Sequence, residues 1–150
     1  MRLDTDQQIL DLLAGCQTIA MIGASPKPWR DSYRVMEFLQ KQGYRVLPIN
    51  PTFAGQELLG EQVLAQLSDC PAPVDMVDIF RNSDAAGQVV DEALCEKQRL
   101  GLRAIWMQLG VVDHAAAERA SQAGFSVVMD RCPKIELRRL GLAEASALAS

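Results

Sequence analysis

The stretch Thr18-Ile19-Ala20-Met21-Ile22-Gly23-Ala24-Ser25-Pro26-Lys27-Pro28-Trp29-Arg30-Asp31-Ser32 decides how the rest of the chain reads. Its first five residues are almost wholly apolar and stop at a glycine. A short run of that kind, bounded by turn residues, is the pattern of a strand covered on both faces of a parallel sheet. Gly23 then opens a turn containing two prolines, Pro26 and Pro28. Asp31 or Ser32 stands where the next helix would be capped.

Outward from this unit the same alternation repeats. Upstream, residues 4–15 place Ile9, Leu12 and Leu13 at amphipathic helix spacing, and Gly15 ends the pattern. Downstream, a helix over 31–42 carries Val35, Phe38 and Leu39 and stops at Gly43, before a strand at 44–49. Residues 50–60 read as loop, 61–67 as a short helix, and 69–73 as a break. Further strands are expected at 74–80, 104–107 and 125–129, separated by helices at 83–99 and 113–123. An amphipathic stretch from Pro133 to Leu140 closes the sheet. Strands alternating with helices predict right-handed crossovers and an α/β fold: a doubly wound, five-stranded parallel sheet of the Rossmann type. The domain is expected over residues 1–142, with 143–150 a flexible tail.

The 150 residues are 49% hydrophobic and 23% charged, the balance of one globular domain. A net charge of −4 gives no global drive toward nucleic acid or an anionic membrane, so neither is expected as a partner. Any anion must be captured by a local set of donors. The N-terminus, Met1 to Asp6, lacks the apolar core of a signal peptide, and no apolar run is long enough to span a bilayer. Cys16, Cys70, Cys95 and Cys132 form no CxxC pair, and three of them read as small apolar residues in a reducing compartment. A cytoplasmic location is expected. His114 has no clustered partner, so no metal site is expected. Oligomeric state is left open.

In such a sheet ligands bind beyond the carboxyl ends of the strands, where the strand order reverses. The loop from Gly23 is therefore the first candidate site. Gly23 has no Cβ and lets the backbone approach a ligand, so a Gly23→Val change should crowd the phosphates of that ligand. Ser25 offers a hydroxyl, and the following helix start favours phosphate through its amides and dipole. Lys27 and Arg30 add positive charge at the same place. The plainer alternative is a well-capped turn with two solvated cations. The loop is not GxGxxG, and strand two ends Leu47-Pro48-Ile49-Asn50-Pro51 with no acidic residue for a ribose hydroxyl. Both departures weigh against NAD, and the lack of a GKS or GKT sequence excludes a P-loop NTPase.

Several strand ends together resemble a known family, the small CoA-binding domain proteins of the YccU type. These are stand-alone relatives of the CoA-binding Rossmann domain of succinyl-CoA synthetase. The matching segments are Ile22 to Pro28 with Arg30 and Ser32, Gly43-Tyr44, Pro48 to Pro51, Val74 to Arg81, Trp106 to Val111, and Met129 to Cys132 with Glu136. They fall in order over residues 17–141, each group at the carboxyl end of a predicted strand. The resemblance implies a site for CoA or acyl-CoA, used for binding rather than turnover. Gly23, Ala24, Ser25 and the next helix start would hold the pyrophosphate. Lys27 and Arg30 would be its cationic partners or meet the 3′-phosphate. Asn50 and Pro51 would flank the adenosine, Phe80 and Arg81 would line the crevice, and Gln108, Leu109 and Gly110 would face the pantetheine arm.

Candidates for chemistry are few. Cys132 precedes Pro133 near the ligand mouth, where a thiol could exchange with CoA; the alternative is a thiol packed under the loop. A nucleotide-dependent oxidoreductase or a thiol-based CoA redox protein using Cys132 is the second functional expectation. His114 follows a helix cap, Asp113, and reads as a surface residue. The related synthetase takes its phosphohistidine from a second domain, so ligase activity does not carry over. Asp75 and Asp78 point to opposite faces of one strand and make no acid–base pair; Asp78 is instead expected to satisfy backbone donors of a nearby loop. Trp29 and Trp106 could stack on adenine, though Trp106 reads as core.

Overall fold

The computed structural model describes residues 1–141. The expected tail, 143–150, lies outside the described residues. Helix α1 (Asp6–Gly15) starts with a reciprocal cap, in which the Thr5 hydroxyl accepts from the Gln8 amide and the Gln8 side chain accepts from the Thr5 amide. There follow β1 (Thr18–Ile22), α2 (Asp31–Lys41), β2 (Arg45–Ile49), β3 (Glu57–Leu58), β4 (Glu61–Gln62) and β5 (Met76–Ile79). The chain continues through α3 (Ser83–Leu100), β6 (Ala104–Met107), α4 (His114–Gln122), β7 (Ser126–Val128) and α5 (Pro133–Arg139). Five parallel strands lie in the order β2-β1-β5-β6-β7. The fold is the Rossmann-like α/β sandwich that the alternation predicts.

The alternating side chains of the strands feed two separate cores. Val77, Ile79 and Ile105 pack with Val90 and Ala93 of α3 and Ala117 of α4. Ile19, Met21, Met76 and Trp106 pack on the other face with Ile9 of α1, Met36 of α2 and Leu137 of α5. Both faces are covered, which is why the strands read as continuous apolar runs.

The chain leaves β1 for β2 on one side and later enters β5 on the other, so the order reverses between β1 and β5. At that point Gly23, at φ +90°, is clamped between both neighbours. Its amide donates to the Ile49 carbonyl at 2.8 Å, and the Phe80 amide donates to the Ile22 carbonyl at 2.8 Å. A Cβ on Gly23 would overlap the carbonyl oxygen of Phe80. The glycine thus has a structural reason beside the approach of a ligand: it clears the path of the backbone leaving β5.

The short helix expected at 61–67 is not formed. Strands β3 and β4 make a hairpin whose two turn residues, Leu59 and Gly60, both have positive φ. Leu64 then hydrogen-bonds along β2, donating to Pro48 and accepting from Asn50. Strand β2 is a sheet edge, which is where a proline such as Pro48 is tolerated. Its free backbone groups capture Leu64 in extended form while Val63 pairs with Gly55 and Gln56, overriding a spacing of Val63, Leu64 and Leu67 that suits a helix equally well. Residues 50–60, expected as loop throughout, also contain a 3-10 turn at Pro51–Phe53 and strand β3.

The role expected of Asp78, satisfying backbone donors of a nearby loop, falls to Asp75 instead. Asp75, just before the strand, accepts from the Gln17 amide at 2.8 Å and the Thr18 amide at 3.0 Å, and Arg103 pairs with it. Partial burial opposes its ionisation, but these amides and the guanidinium outweigh burial and hold the carboxyl below the usual range. Asp78 is fully buried in the row Met21–Asp78–Trp106, and neither oxygen has a hydrogen-bond partner. Burial pushes its carboxyl well above the usual range.

Opposite pH dependences follow for the two acids. A depressed acid stabilises the fold above pH about 4 and loses that effect as pH falls through its folded-state value. A raised acid does the reverse, because above pH about 4 the unfolded chain releases a proton that the folded chain keeps. In denaturant titrations, Asp75→Asn should cost about 2 kcal/mol at neutral pH, a gap that narrows below pH about 4. Asp78→Asn should gain stability relative to the parent as pH rises from about 4 to 7. Offsets independent of pH would refute both assignments. Gly23→Ala should cost at least about 2 kcal/mol of stability through backbone strain and overlap at Phe80, read as a lowered denaturation midpoint; an unchanged midpoint would refute this.

Candidate functional site

Above the carboxyl ends of the strands the surface opens into two joined cavities of about 630 and 580 Å³. They share Asp31, Phe80 and Arg81, so Phe80 and Arg81 stand at the passage between them. Both of these follow β5, on one side of the reversal, and Gly23 follows β1 on the other.

The first cavity is lined by Gly23, Ser25, Lys27, Arg30 and Ser32 from the loop after β1. Asn50, beyond β2, also lines it. The loop is held by its own short side chains. Ser32 Oγ accepts from the Ser25 amide and Ser25 Oγ from the Lys27 amide, each at 3.2 Å. Asn50 donates to the Ala24 carbonyl at 2.9 Å and accepts from the Thr52 amide at 3.0 Å. Asn50 thus ties the ends of β1 and β2 together. Ala24 is buried in the core and Pro51 lines a third cavity of about 400 Å³, so neither borders the first.

Contrary to expectation, neither Asp31 nor Ser32 caps α2. The N-cap is Arg30, without a side-chain bond, and the Ser32 hydroxyl is engaged by Ser25. The first-turn amides of α2 therefore have no side-chain cap at the edge of the cavity, where the helix dipole favours an anion. Lys27, Arg30 and Arg81 stand at the same place, and among the described residues none has an ion-pair partner. Lys27 Nζ lies 6.0 Å from the ring centroids of both Trp29 and Phe53. Trp29 is 66% exposed and offers a free aromatic face. Trp106 does not: it is buried, and its indole donates to the Arg131 carbonyl at 2.7 Å.

The second cavity is bordered by the turn Gln108 to Val111, closed by the Val111 amide on the Gln108 carbonyl at 2.8 Å. Asp130 accepts from the Gly110 amide at 2.7 Å and fixes this turn against the end of β7. Gln108 and Gly110 both line the cavity. Gln108 is only 6% exposed, and its side-chain oxygen has no partner. A buried carbonyl oxygen without a donor costs free energy, which a ligand amide could relieve. Cys132 lines the opposite wall as a buried thiol at the start of α5.

Cys16 and Cys70 are buried as expected, and burial pushes both thiols up to about 11. With Cys132 they make three buried thiols, and Cys95 is the fourth, exposed on α3. His114 is exposed and opens α4, with Asp113 as its cap. Sequence reading missed Phe53 in the first cavity and Arg34, Lys134, Ile135 and Arg138 in the second. A legible signal existed for the helical cations: Arg34 lies four residues after Arg30, and Arg138 four after Lys134, each pair sharing a helix face.

Comparison with known proteins agrees with this geometry. Residues 17–138 match the family described as "CoA binding domain". The uncharacterized protein YneT of Bacillus subtilis is 31% identical over 135 residues, covering 90% of this chain and 96% of that protein. A solved Thermus thermophilus structure, cell-free ID.343, is 39% identical with a TM-score of 0.83, over 91% of this chain and 99% of its own. A dinucleotide-forming acetyl-coenzyme A synthetase of Ca. Korarchaeum cryptofilum, solved with phosphate and ADP, is 26% identical with a TM-score of 0.61. There the match takes 74% of this chain but 25% of the synthetase. With its profile matched over most of the sheet and every cavity-forming strand end inside the match, the chain belongs to the CoA binding domain family.

Proposed function

We propose that this chain is a cytoplasmic binding protein for CoA or an acyl-CoA, formed by one domain through residue 142 and without a reaction of its own. One observation carries the reading: two joined cavities lie at the strand-order reversal, and each has the chemistry of one half of the ligand. The first offers Lys27, Arg30 and Arg81, the uncapped start of α2 and the aromatic faces of Trp29 and Phe53. Those groups suit the phosphates and the adenine of the nucleotide half. The second is narrower in polarity, with Val35, Leu109 and Val111 beside the unpartnered Gln108 oxygen. Such walls suit a flexible arm of methylenes and amides. Family membership supports CoA over other nucleotides. No helix among the described residues is long and apolar enough to cross a membrane.

In this reading Gly23, Ser25 and Ser32 shape the loop around the pyrophosphate, while Asn50 holds that loop to β2 beside the adenosine. Ala24 and Pro51 act through the backbone path and do not touch the ligand. Placing Cys132 on the wall of the second cavity keeps the thiol-based alternative open to test.

Calorimetric titration tests the proposal. CoA should bind saturably, dephospho-CoA about tenfold more weakly through loss of one phosphate contact, and NAD with no measurable saturation. Saturable heat with NAD and none with CoA would overturn it. A Lys27→Ala/Arg30→Ala double variant should weaken CoA at least about tenfold while leaving the denaturation midpoint unchanged. Intact-mass analysis after incubation with CoA disulfide decides the alternative: an adduct abolished by Cys132→Ser would favour redox function, and no adduct would favour binding alone.

A further inference from the structure

The second cavity carries more positive charge than a neutral pantetheine arm requires. Arg34, Arg81, Lys134 and Arg138 line it, against the single carboxylate of Asp31. Among the described residues none of these four cations has an ion-pair partner. In a chain of net charge −4 this is local segregation of charge, not a generally basic surface.

The arrangement also runs against helix energetics. Lys134 and Arg138 are like charges four residues apart on α5, a spacing that destabilises a helix. Lys134 stands in the first turn, at the end of the helix where a cation opposes the dipole. Helix α2 packs against α5 and brings Arg34 toward the same opening. Phe38 of α2 sets the position of the α5 pair, with Lys134 Nζ 5.7 Å and the Arg138 guanidinium 4.9 Å from its ring centroid. A ring face holds a cation but does not neutralise it. The same cavity is also lined by the apolar side chains of Val35, Leu109, Val111 and Ile135. The cavity therefore sets apolar wall beside unpaired cations.

We propose that this cavity receives an acyl group ending in a carboxylate, so that the chain selects CoA thioesters of dicarboxylic acids over uncharged ones. The inference rests on the reading that CoA is the ligand. In it the nucleotide takes the first cavity, the pantetheine arm passes Phe80 and Gln108, and the methylenes of the acyl group lie on Val35 and Ile135. The distal carboxylate meets Arg34, Lys134 and Arg138. These three act on specificity, and Lys27 and Arg30 act on affinity for every CoA species.

Isosteric pairs of thioesters test this directly: butyryl-CoA against succinyl-CoA, and valeryl-CoA against glutaryl-CoA, titrated beside free CoA. Within at least one pair the carboxylated member should bind about tenfold tighter, which corresponds to about 1.4 kcal/mol. That preference should shrink as salt is raised from 50 to 500 mM, roughly values that bracket ordinary screening lengths. In a Lys134→Gln/Arg138→Gln variant the preference should vanish while affinity for free CoA stays within about twofold. Equal affinities within both pairs, with free CoA still bound, would overturn the proposal and leave CoA binding intact. A variant that loses about tenfold toward free CoA would also overturn it, because the α5 cations would then hold the phosphates of CoA itself. Absence of binding by every CoA species would instead refute the underlying reading.

Discussion

The backbone crossing at the end of β1 constrains everything built above the sheet. Gly23 passes so close to the Phe80 carbonyl that no side chain fits, and hydrogen bonds to Ile49 and from Phe80 hold the crossing from both sides. Because β1 and β5 leave the sheet in contact, the two loops that follow them share one opening. Lys27, Arg30 and Ser32 come from the first loop and its helix, Phe80 and Arg81 from the second. A looser crossing would separate these groups. Rigidity here comes from the backbone itself, and the side chains of the site are supported by it.

Charge distribution is the second organising feature. The chain is acidic overall, yet the crevice gathers Lys27, Arg30, Arg34, Arg81, Lys134 and Arg138 with Asp31 alone opposing them. Elsewhere most arginines of the described residues are paired: Arg103 with Asp75, Arg119 with Asp91, and Arg139 with both Asp6 and the buried Glu136. Pairing outside the crevice and its lack inside concentrate the positive potential where low-dielectric walls focus it. An anionic ligand would thereby be favoured by contrast with an acidic surround. The family match concerns CoA binding, and a cationic crevice is compatible with the phosphates of such a ligand.

Most of the sheet was legible in the sequence because a doubly covered strand has no polar face to disguise it. The runs at Thr18–Ile22 and Ala104–Met107 are short, apolar and ended by turn residues, and both form strands over those residues. Legibility failed where tertiary contacts chose between local options. Val63 and Leu64 suit a helix or an extended segment, and the free edge of β2 made the choice. Asp75 and Asp78 differ by three residues, but only the strand register tells which one reaches the amides of Gln17 and Thr18. Of the site, the cations of the β1 loop were visible because they follow a turn. Arg34, Lys134 and Arg138 show only a four-residue spacing that a solvated helix face shares, and the packing of α2 on α5 is what assembles them.

Both borders of the sheet are closed by short segments outside its five strands. On one side the hairpin region covers β2 through Leu64; on the other Leu3 donates to Val127 and Met1 accepts from it, alongside β7. A strand border with free amides invites another chain to add to it, a hazard natural sheets avoid by such coverings. Here neither border offers a long row of unused donors and acceptors. Among the described residues, the surface left open consists of helix faces and the rim of the crevice. Joining sheets edge to edge would first require peeling away a covering segment. The fold thus leaves its helix faces and the crevice rim, not its strand borders, as open surface.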